Sequence, residues 1–270
     1  MANLNLKVIV GDTPLAQAAY QRIEPALTSE GVAIVKHAED ADCRLVFGGD
    51  GTMLQEARRD LRRGYNGEPV PIFGIKAGNP RSMGMLLNDV AGEEPDAVIE
   101  AIRNGIYQRF YYLKVVIEGI NGNSRTEFVF NDVTTIRANA QTAATNVFLD
   151  GRLIKERAMG DGMLICTPQG SAAYSLKAGG TVTPDLGTIQ LTGIVSDLRS
   201  LAFREDALLR LEVLEAQKRP QRAEGDGRIL MRKIRAIEAR KSKIFSTIMF
   251  MAEQSFNEKM IAEALRTGRR

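Results

Sequence analysis

The spacing of apolar residues changes once along this chain, near position 107. Before that point, short apolar runs alternate with segments of helical period; after it, strand-like runs follow one another with only turn residues between them. Strands that alternate with helices are typical of a parallel sheet, whereas strands in succession form antiparallel sheets. We therefore predict an α/β first half, with a parallel sheet and helices on both faces, and a mainly-β second half.

The period of the apolar residues and the positions of turn residues predict where each strand and helix lies. The first half is predicted to contain strands at 6–10, 32–35, 43–47 and 70–75 and helices at 14–27, 53–63 and 95–104, with Thr13 capping the first helix. In the second half, residues 125–136 form one strand-like run and Asp150-Gly151 predicts a two-residue hairpin. An amphipathic helix over 255–265 is expected to pack back on the first half, because alone it cannot bury its apolar face. The predicted domains are 1–106, 107–252 and the returning helix 253–270.

Composition limits the cellular compartment and the kinds of site that we expect for this chain. Cys43 and Cys166 both lie inside apolar runs, which favours a reduced, cytoplasmic setting over a disulfide framework. His37 is the one histidine, so no site that needs several histidines can form. No apolar run reaches the roughly 18 residues of a membrane span, and the first residues lack a signal-peptide pattern. Residues 228–270 hold 11 Lys or Arg against 4 Glu, and we expect a solvated face there, with no nucleic acid or membrane partner.

The most specific local motif is Gly48-Gly49-Asp50-Gly51-Thr52, which follows a buried strand and precedes a helix. Glycines allow a close backbone approach, and the N–H groups at a helix start attract anions, so the loop predicts a phosphate site. A carboxylate would repel phosphate unless it serves as a base for an attacking hydroxyl or as a partner for Mg²⁺. The alternative is a structural turn. Neither a P-loop nor a GxGxxG loop is present.

A second motif runs from Asp161 to Tyr174, with the sequence DGMLICTPQGSAAY, and continues to Ala178-Gly179-Gly180. Small residues after a Pro-Gly turn fill a core poorly, but they can form a smooth wall of hydroxyl and N–H groups for a flat ligand. A tight connection from strand to helix is the alternative interpretation.

Together, GGDGT and DGxxxxTPxGSxAYxxxAGG resemble the NAD kinase family, and the similarity extends through most of the chain. FVFNDVTTI at 128–136 and the final segment are also similar to members of that family. GGDGT alone is shared with lipid kinases of the diacylglycerol type, but the TPxGSxAY run is not. The resemblance implies a phosphotransferase that makes NADP from NAD and ATP or polyphosphate, with Mg²⁺ on the donor phosphates. It also implies a donor-phosphate domain at 1–106, an NAD-binding domain at 107–252, and a homodimer or homotetramer.

The resemblance assigns roles to individual residues. Asp50 would accept the proton of the adenosine ribose 2′-hydroxyl, Asn131 and Asp132 would bind adenosine groups, and Asp161 would face the nicotinamide side. The other nucleotide-binding residues that it implies are Gly48, Gly49, Gly51, Thr52, Thr167, Gly170, Ser171, Ala172, Ala173, Tyr174, Ser175, Lys177 and Arg228. No residue is implied as a ligand of a resident metal.

The chain departs from the family pattern around positions 74–85. It has Gly-Ile-Lys-Ala-Gly, with Lys76 in place of an amide, and three extra residues at 79–81, followed by Met-Gly-Met at 83–85. Asp132 is one methylene shorter than the usual Glu, and Lys177 replaces a small hydroxyl residue. These changes leave open the donor and the preference between NAD and NADH. A lipid kinase and a dinucleotide sensor without turnover are the alternative functions.

Overall fold

The computed structural model describes residues 3–29, 31–62, 68–79, 84–252 and 254–267. The chain divides into two compact units, one formed by Met1–Phe110 with Ile244–Lys259 and the other by Tyr111–Lys243 with Met260–Arg270. Over the described ranges, no helix is long and apolar enough to cross a membrane. The domain boundaries inferred from the sequence, 1–106, 107–252 and 253–270, stay a prediction about which segments fold together.

The first unit is built on a parallel sheet. Its strands are β1 (Leu4–Val10), β2 (Val32–Ile34), β3 (Cys43–Gly48), β4 (Ile72–Lys76) and the end of β16 (Ile234–Phe250). Their order is β2-β1-β3-β4-β16, and each neighbouring pair runs parallel. The helices α1 (Pro14–Leu27), α2 (Asp50–Arg62) and α3 (Pro95–Arg103) alternate with the strands. This order confirms the predicted α/β half.

Helices cover both faces of this sheet. Phe73 and Ile75 of β4 are buried in one apolar cluster with Ile23 of α1. Gly74, between them, points the other way, and a Cβ placed on it would lie 2.6 Å from the sulfur of Met53 in α2. Because alternate residues of a strand point to opposite faces, α1 and α2 pack on opposite sides.

Two helix starts follow from local hydrogen bonding. Thr13 caps α1 as predicted, since its Oγ1 accepts the N–H of Ala16 over 3.2 Å. Helix α2 begins at Asp50, three residues before the predicted start, because Met53 donates its N–H to the carbonyl of Gly49 over 3.1 Å. The predicted end of that helix, residue 63, lies outside the described residues.

The second unit is mainly β, as predicted. Its strands are β5 (Ile106–Gly119), β6 (Ser124–Val129), β7 (Asp132–Arg137), β8 (Ala143–Leu149), β9 (Arg152–Gly160), β10 (Gly162–Cys166), β11 (Thr188–Ile194), β12 (Leu201–Arg204), β13 (Leu209–Val213), β14 (Gln221–Gly225), β15 (Arg228–Met231) and the start of β16. One antiparallel sheet has the order β12-β11-β10-β7-β14-β15. In the other, β16 pairs with β13, β13 with β8 and β8 with β9. Buried apolar residues of both sheets, among them Val133, Ile165, Val147 and Leu211, form one core.

Two turn regions of this unit can be compared directly with predictions made from the sequence. Asp150 and Gly151 join β8 to β9 with φ angles of 49° and 80°, which confirms the predicted hairpin. The run 125–136, expected as one strand, is instead two strands that break at Phe130 and Asn131. The N–H groups of these two residues leave the strand ladder because they donate to the carboxylate of Asp226.

The last helix, α5 (Phe256–Thr267), begins with a reciprocal cap. Ser255 donates its N–H to the carboxylate of Glu258 over 3.0 Å, and the Ser255 hydroxyl accepts the N–H of Glu258 over 3.4 Å. Phe256 packs edge-on against Phe110, with ring centroids 4.9 Å apart. The first turn of the helix therefore packs in the first unit, whereas the residues from Met260 onward group with the second unit. The return of the whole segment 253–270 to the first domain stays a prediction.

Candidate functional site

The glycine loop between β3 and α2 is packed too closely for side chains at two points. A Cβ on Gly48 would lie 2.5 Å from the hydroxyl of Thr52, and a Cβ on Gly78 would lie 2.8 Å from the Cα of Gly49. Gly51 differs, because it is exposed and a Cβ on it would meet no described atom within 4 Å. The loop is thus held tightly on one side and leaves open space on the other.

Asp50 begins α2, so its carboxylate lies at the positive end of the helix dipole. One carboxylate oxygen, Oδ2, accepts the N–H of Gly84 over 3.3 Å. Thr52 lies in the same first turn and donates its N–H to the carbonyl of Gly49 over 3.0 Å. A carboxylate therefore lies at a helix start of the kind that binds phosphate.

Two lysines lie in the neighbourhood of Asp50. Lys76 is the last residue of β4, and Lys259 of α5 donates to the carbonyl of Leu87. Burial lowers the pKa of Lys259 to about 8, and the charge of Lys76 adds to this effect, while nearby carboxylates oppose it. Lys259 is therefore still mostly protonated at pH 7. Of the altered loop around Lys76, positions 80–83 lie outside the described residues.

In the second unit, Asp226 holds the segment that contains Asn131 and Asp132. Its carboxylate accepts the N–H groups of Phe130 over 2.9 Å, Asn131 over 2.7 Å and Asp132 over 3.4 Å. The N–H of Asp226 donates in turn to the carbonyl of Asp132 over 3.1 Å. Asp226 and Gly227 both have positive φ angles, 47° and 73°, so the turn between β14 and β15 aims this carboxylate at β7.

The TPxGSxAY motif holds the carbonyl groups of the same segment. The hydroxyl of Thr167 donates to the carbonyl of Phe130 over 2.8 Å, and its N–H donates to that of Asn131 over 2.9 Å. A Cβ on Gly170 would lie 2.1 Å from the Asn131 carbonyl oxygen, so only glycine fits there. Two motifs that the sequence places more than thirty residues apart are therefore in direct contact.

Asp132 has an unusual titration because of this packing. Burial of its carboxyl is the main cause that raises the pKa from 3.8 to about 7, and the like charge of Asp226 adds to it. The side chain is only 7% exposed. Near neutral pH, Asp132 thus carries a proton for part of the time and can donate a hydrogen bond as well as accept one.

The turn after β10 uses its hydroxyls internally. Helix α4 (Pro168–Gly170) is followed by one π-helical turn over Ser171–Ser175, in which Ala173 has the non-helical angles φ −93° and ψ −117°. The Ser171 hydroxyl donates to Pro168 O over 2.7 Å, and the Ser175 hydroxyl donates to the amide oxygen of Gln190 over 2.7 Å. The serines therefore fix the turn, and their binding to a ligand stays a prediction.

Tyr174 leaves this turn into an acidic environment and is 38% exposed. Its pKa is raised by burial and then by the charges of Glu224, Asp132 and Asp161. Asp161 itself pairs with the guanidinium of Arg137, with Nε and Oδ1 2.9 Å apart. The structure thus brings three of the predicted residues, Asp132, Asp161 and Tyr174, into one neighbourhood.

Other predicted residues of the second unit differ in their exposure to solvent. Ala172 is buried and Ala173 half-buried, whereas Lys177 and Arg228 are exposed. Neither of these two basic side chains makes a hydrogen bond or ion pair to another predicted residue within the described part of the chain. Four residues were missed from the sequence: Asp226, Arg137, Gln190 and Lys259. Only Asp226 carried a signal, as the Asp of an Asp-Gly turn pair.

Known proteins resemble this chain in sequence. The family model for the ATP-NAD kinase C-terminal domain matches residues 120–232. The NAD kinase of Brucella suis is 30% identical over 237 residues, which cover 85% of this chain and 87% of that protein. The NAD kinase of Zymomonas mobilis is 29% identical over 231 residues, or 83% of each chain.

Solved structures share the fold. The crystal structure of yeast NADH kinase complexed with NADH aligns with a TM-score of 0.76 at 17% identity, covering 100% of this chain and 89% of that one. An NAD kinase from Archaeoglobus fulgidus in complex with ATP aligns with a TM-score of 0.71 at 16% identity, covering 97% and 99%. At these identities the likeness concerns the fold alone.

An α/β unit with a GGDGT loop and a β unit with a TPxGSxAY turn define a phosphotransferase that handles nucleotides without a P-loop. Within that class, sequence similarity to the relatives shows the family. The chain belongs to the NAD kinase family.

Proposed function

We propose that this chain transfers the terminal phosphoryl group of ATP or polyphosphate to the adenosine ribose 2′-hydroxyl of NAD, which gives NADP. The observation that carries the proposal is the position of Asp50, a carboxylate at the first residue of α2 beside the open space at Gly51. Membership of the NAD kinase family supports it. So does the fold shared with a yeast enzyme complexed with NADH and an archaeal enzyme in complex with ATP.

The proposed step needs a base and a way to balance phosphate charge. The ribose oxygen attacks the terminal phosphorus, its proton passes to Asp50, and the bond to the leaving phosphate oxygen breaks. N–H groups of the first turn of α2, together with the charges of Lys76 and Lys259, would attract the donor phosphates. Chemistry of this kind depends on positioning and charge neutralisation rather than on covalent catalysis.

Mg²⁺ enters the proposal as part of the substrate, bound to the donor phosphates. In the described ranges, no group of three or more His, Cys, Asp or Glu side chains is arranged to hold a metal ion. Bound in this way, the ion would take its oxygen ligands from phosphate and water, and Asp50 would keep its role as the base.

The dinucleotide would bind in the second unit. Asn131 and Asp132 would contact the adenosine part, Asp161 the nicotinamide side, and Ala172 to Lys177 with Arg228 would line the pocket. Two observations support these roles. Hydrogen bonds with Asp226 and Thr167 hold the backbone of residues 130–132, and Asp132, Asp161 and Tyr174 share one neighbourhood. We further propose a cytoplasmic homodimer or homotetramer whose partners are small-molecule nucleotides.

The decisive experiment replaces Asp50 by Asn, which keeps the size and tolerates the same backbone conformation. A positioned base contributes on the order of 10²–10⁴ in rate, so NADP formation is expected to slow by about that factor. NAD binding should weaken by roughly tenfold or less, because an amide can keep part of the hydrogen bond. The assay is coupled NADP formation, run separately with ATP and with polyphosphate.

Asp40→Asn is the matched control, because Asp40 is an exposed aspartate of the same unit. It should leave turnover unchanged. Full turnover in Asp50→Asn would remove the base from the mechanism. Loss of NAD binding in a folded Asp50→Asn protein would make the residue a ligand anchor instead.

A further inference from the structure

The segment from Phe130 to Asp132 is held from two sides. On one side, the carboxylate of Asp226 accepts its three N–H groups over 2.7–3.4 Å. On the other, Thr167 donates its hydroxyl and its N–H to the carbonyl oxygens. With both kinds of backbone group engaged, this short piece of chain has little freedom to shift between β6 and β7.

The backbone is fixed, but the side chain of Asn131 is not engaged. Asn131 is half-buried, and within the described residues its amide makes no hydrogen bond to the protein. Phe130, by contrast, is buried and packs against Tyr112, with ring centroids 5.2 Å apart. The hydrogen bonds with Asp226 and Thr167 therefore hold the Phe130 side chain in the core and leave the side-chain amide of Asn131 available to a ligand.

We propose that Asp226 is a positioning residue for the dinucleotide: its carboxylate fixes the backbone of residues 130–132 and thereby places the side chains of Asn131 and Asp132 for binding. The inference rests on the proposed function, and it adds to that function a residue that does not itself touch the substrate. Its role differs from ordinary turn capping because a loose segment would cost affinity for NAD even in a well-folded protein.

The charge of Asp226 gives the proposal a second readout. The groups that face the Asp132 carboxyl are Asp226 in the turn from β14 to β15, Tyr174 after α4, and Cys166 on β10. Of these, Asp226 supplies the like charge that adds to burial in raising the pKa of Asp132. Removing that charge should move the titration of Asp132 to lower pH.

The chain offers a closely matched control for Asp226. Asp150 also precedes a glycine in a hairpin turn, has a φ of 49° against 47° for Asp226, and accepts one backbone N–H, from Leu208 over 2.9 Å. Asn tolerates positive φ as well as Asp does, so the same substitution keeps both turns. Any general effect of losing a turn carboxylate should appear in Asp150→Asn as well.

The test compares Asp226→Asn with Asp150→Asn in the full chain by calorimetric NAD titration, by steady-state kinetics and by thermal unfolding. Losing a charged acceptor of backbone N–H groups corresponds to roughly ten- to hundredfold in affinity. The expected result is that increase in the KM and dissociation constant for NAD in Asp226→Asn, with kcat changed by less than about threefold. The pH midpoint of NAD binding should also fall, and Asp150→Asn should leave both unchanged.

Unchanged NAD affinity and an unchanged midpoint in a folded Asp226→Asn protein would reduce Asp226 to a turn residue. If that variant does not fold, Thr167→Val removes the hydroxyl clamp from the other side, and unchanged NAD affinity there would equally overturn the proposal. Failure of the proposed function has a different signature, because the wild-type chain would then form no NADP in the coupled assay.

Discussion

Replacing Asp132 by Asn should change how the stability of the protein depends on pH. The folded-state pKa of Asp132 is about 7, against 3.8 for an ordinary aspartate. Between these values the folded state binds the proton and the unfolded state does not, so the wild-type protein loses stability as pH rises through this window. The penalty is absent below about pH 4 and complete above about pH 7. Asn carries no such proton and removes the penalty.

The size of the effect follows from the pKa difference. Two pKa units lie between pH 5 and the folded-state value, and each corresponds to about 1.4 kcal/mol. The free energy of unfolding of Asp132→Asn, taken relative to wild type, should therefore rise by up to about 3 kcal/mol between pH 5 and pH 8. Urea unfolding followed by circular dichroism at four pH values and constant ionic strength measures this difference.

Asp206→Asn serves as the control, since the Asp206 side chain is 67% exposed in the same unit. Its relative stability should vary by less than about 0.5 kcal/mol over the same range. If the difference for Asp132→Asn is flat from pH 5 to pH 8, Asp132 is ionised in the folded protein. The account of its burial would then be wrong.

Three further substitutions test separate parts of the structure. Tyr174→Ala should weaken NAD binding by about tenfold or more in calorimetric titration, because it removes a half-exposed ring from the proposed pocket. Gly170→Ala should cost about 1–3 kcal/mol in urea unfolding and raise the KM for NAD, since its Cβ would lie 2.1 Å from the Asn131 carbonyl oxygen. Asp60→Ala should cost about 3–5 kcal/mol, because it leaves the buried guanidinium of Arg44, now 2.8 Å from Asp60, without its carboxylate.

Each of these has a control or a contrary outcome. Tyr107→Ala removes a tyrosine that is 58% exposed and should not affect NAD binding. Equal NAD affinities of the two tyrosine variants would mean that the pocket does not lie at Tyr174. Gly92→Ala adds a methyl group where no described atom lies within 4 Å, so a similar cost at both glycines would contradict the steric argument. A loss below about 1 kcal/mol in Asp60→Ala would show that water reaches Arg44.

The order of elements was predictable because it depends on local periodicity. The alternation of strands and helices before position 107 and the succession of strands after it both hold. The hairpin at Asp150-Gly151 was also predictable from the sequence, because Asp-Gly between two apolar runs favours the positive φ angles that such a turn needs. The start of α2 at Asp50 was not, because it depends on the carbonyl of Gly49 accepting from Met53.

The remainder of the candidate site depends on contacts that the sequence does not encode locally. Asp226 and Asp150 occupy the same kind of Asp-Gly turn, yet only Asp226 reaches a segment about 95 residues away and breaks a strand there. Lys259 likewise contacts Leu87 across 172 positions. Nothing in the helical period of α5 distinguishes this lysine from a solvated one, because burial is a property of the partner surface.

Strand β16 has a consequence for how the protein is made. The first unit closes its parallel sheet by pairing Ile248 and Met249 with β4, and these residues follow the whole of 111–243 in the chain. During synthesis, Ile72 and Phe73 of β4 therefore lack this strand partner until the ribosome has produced residues 111–243. Open strand edges of this kind recruit other chains, so the nascent protein is most exposed to misassembly in that interval. Ribosome-bound chains stopped near residue 240 would be expected to engage chaperones that full-length chains no longer need.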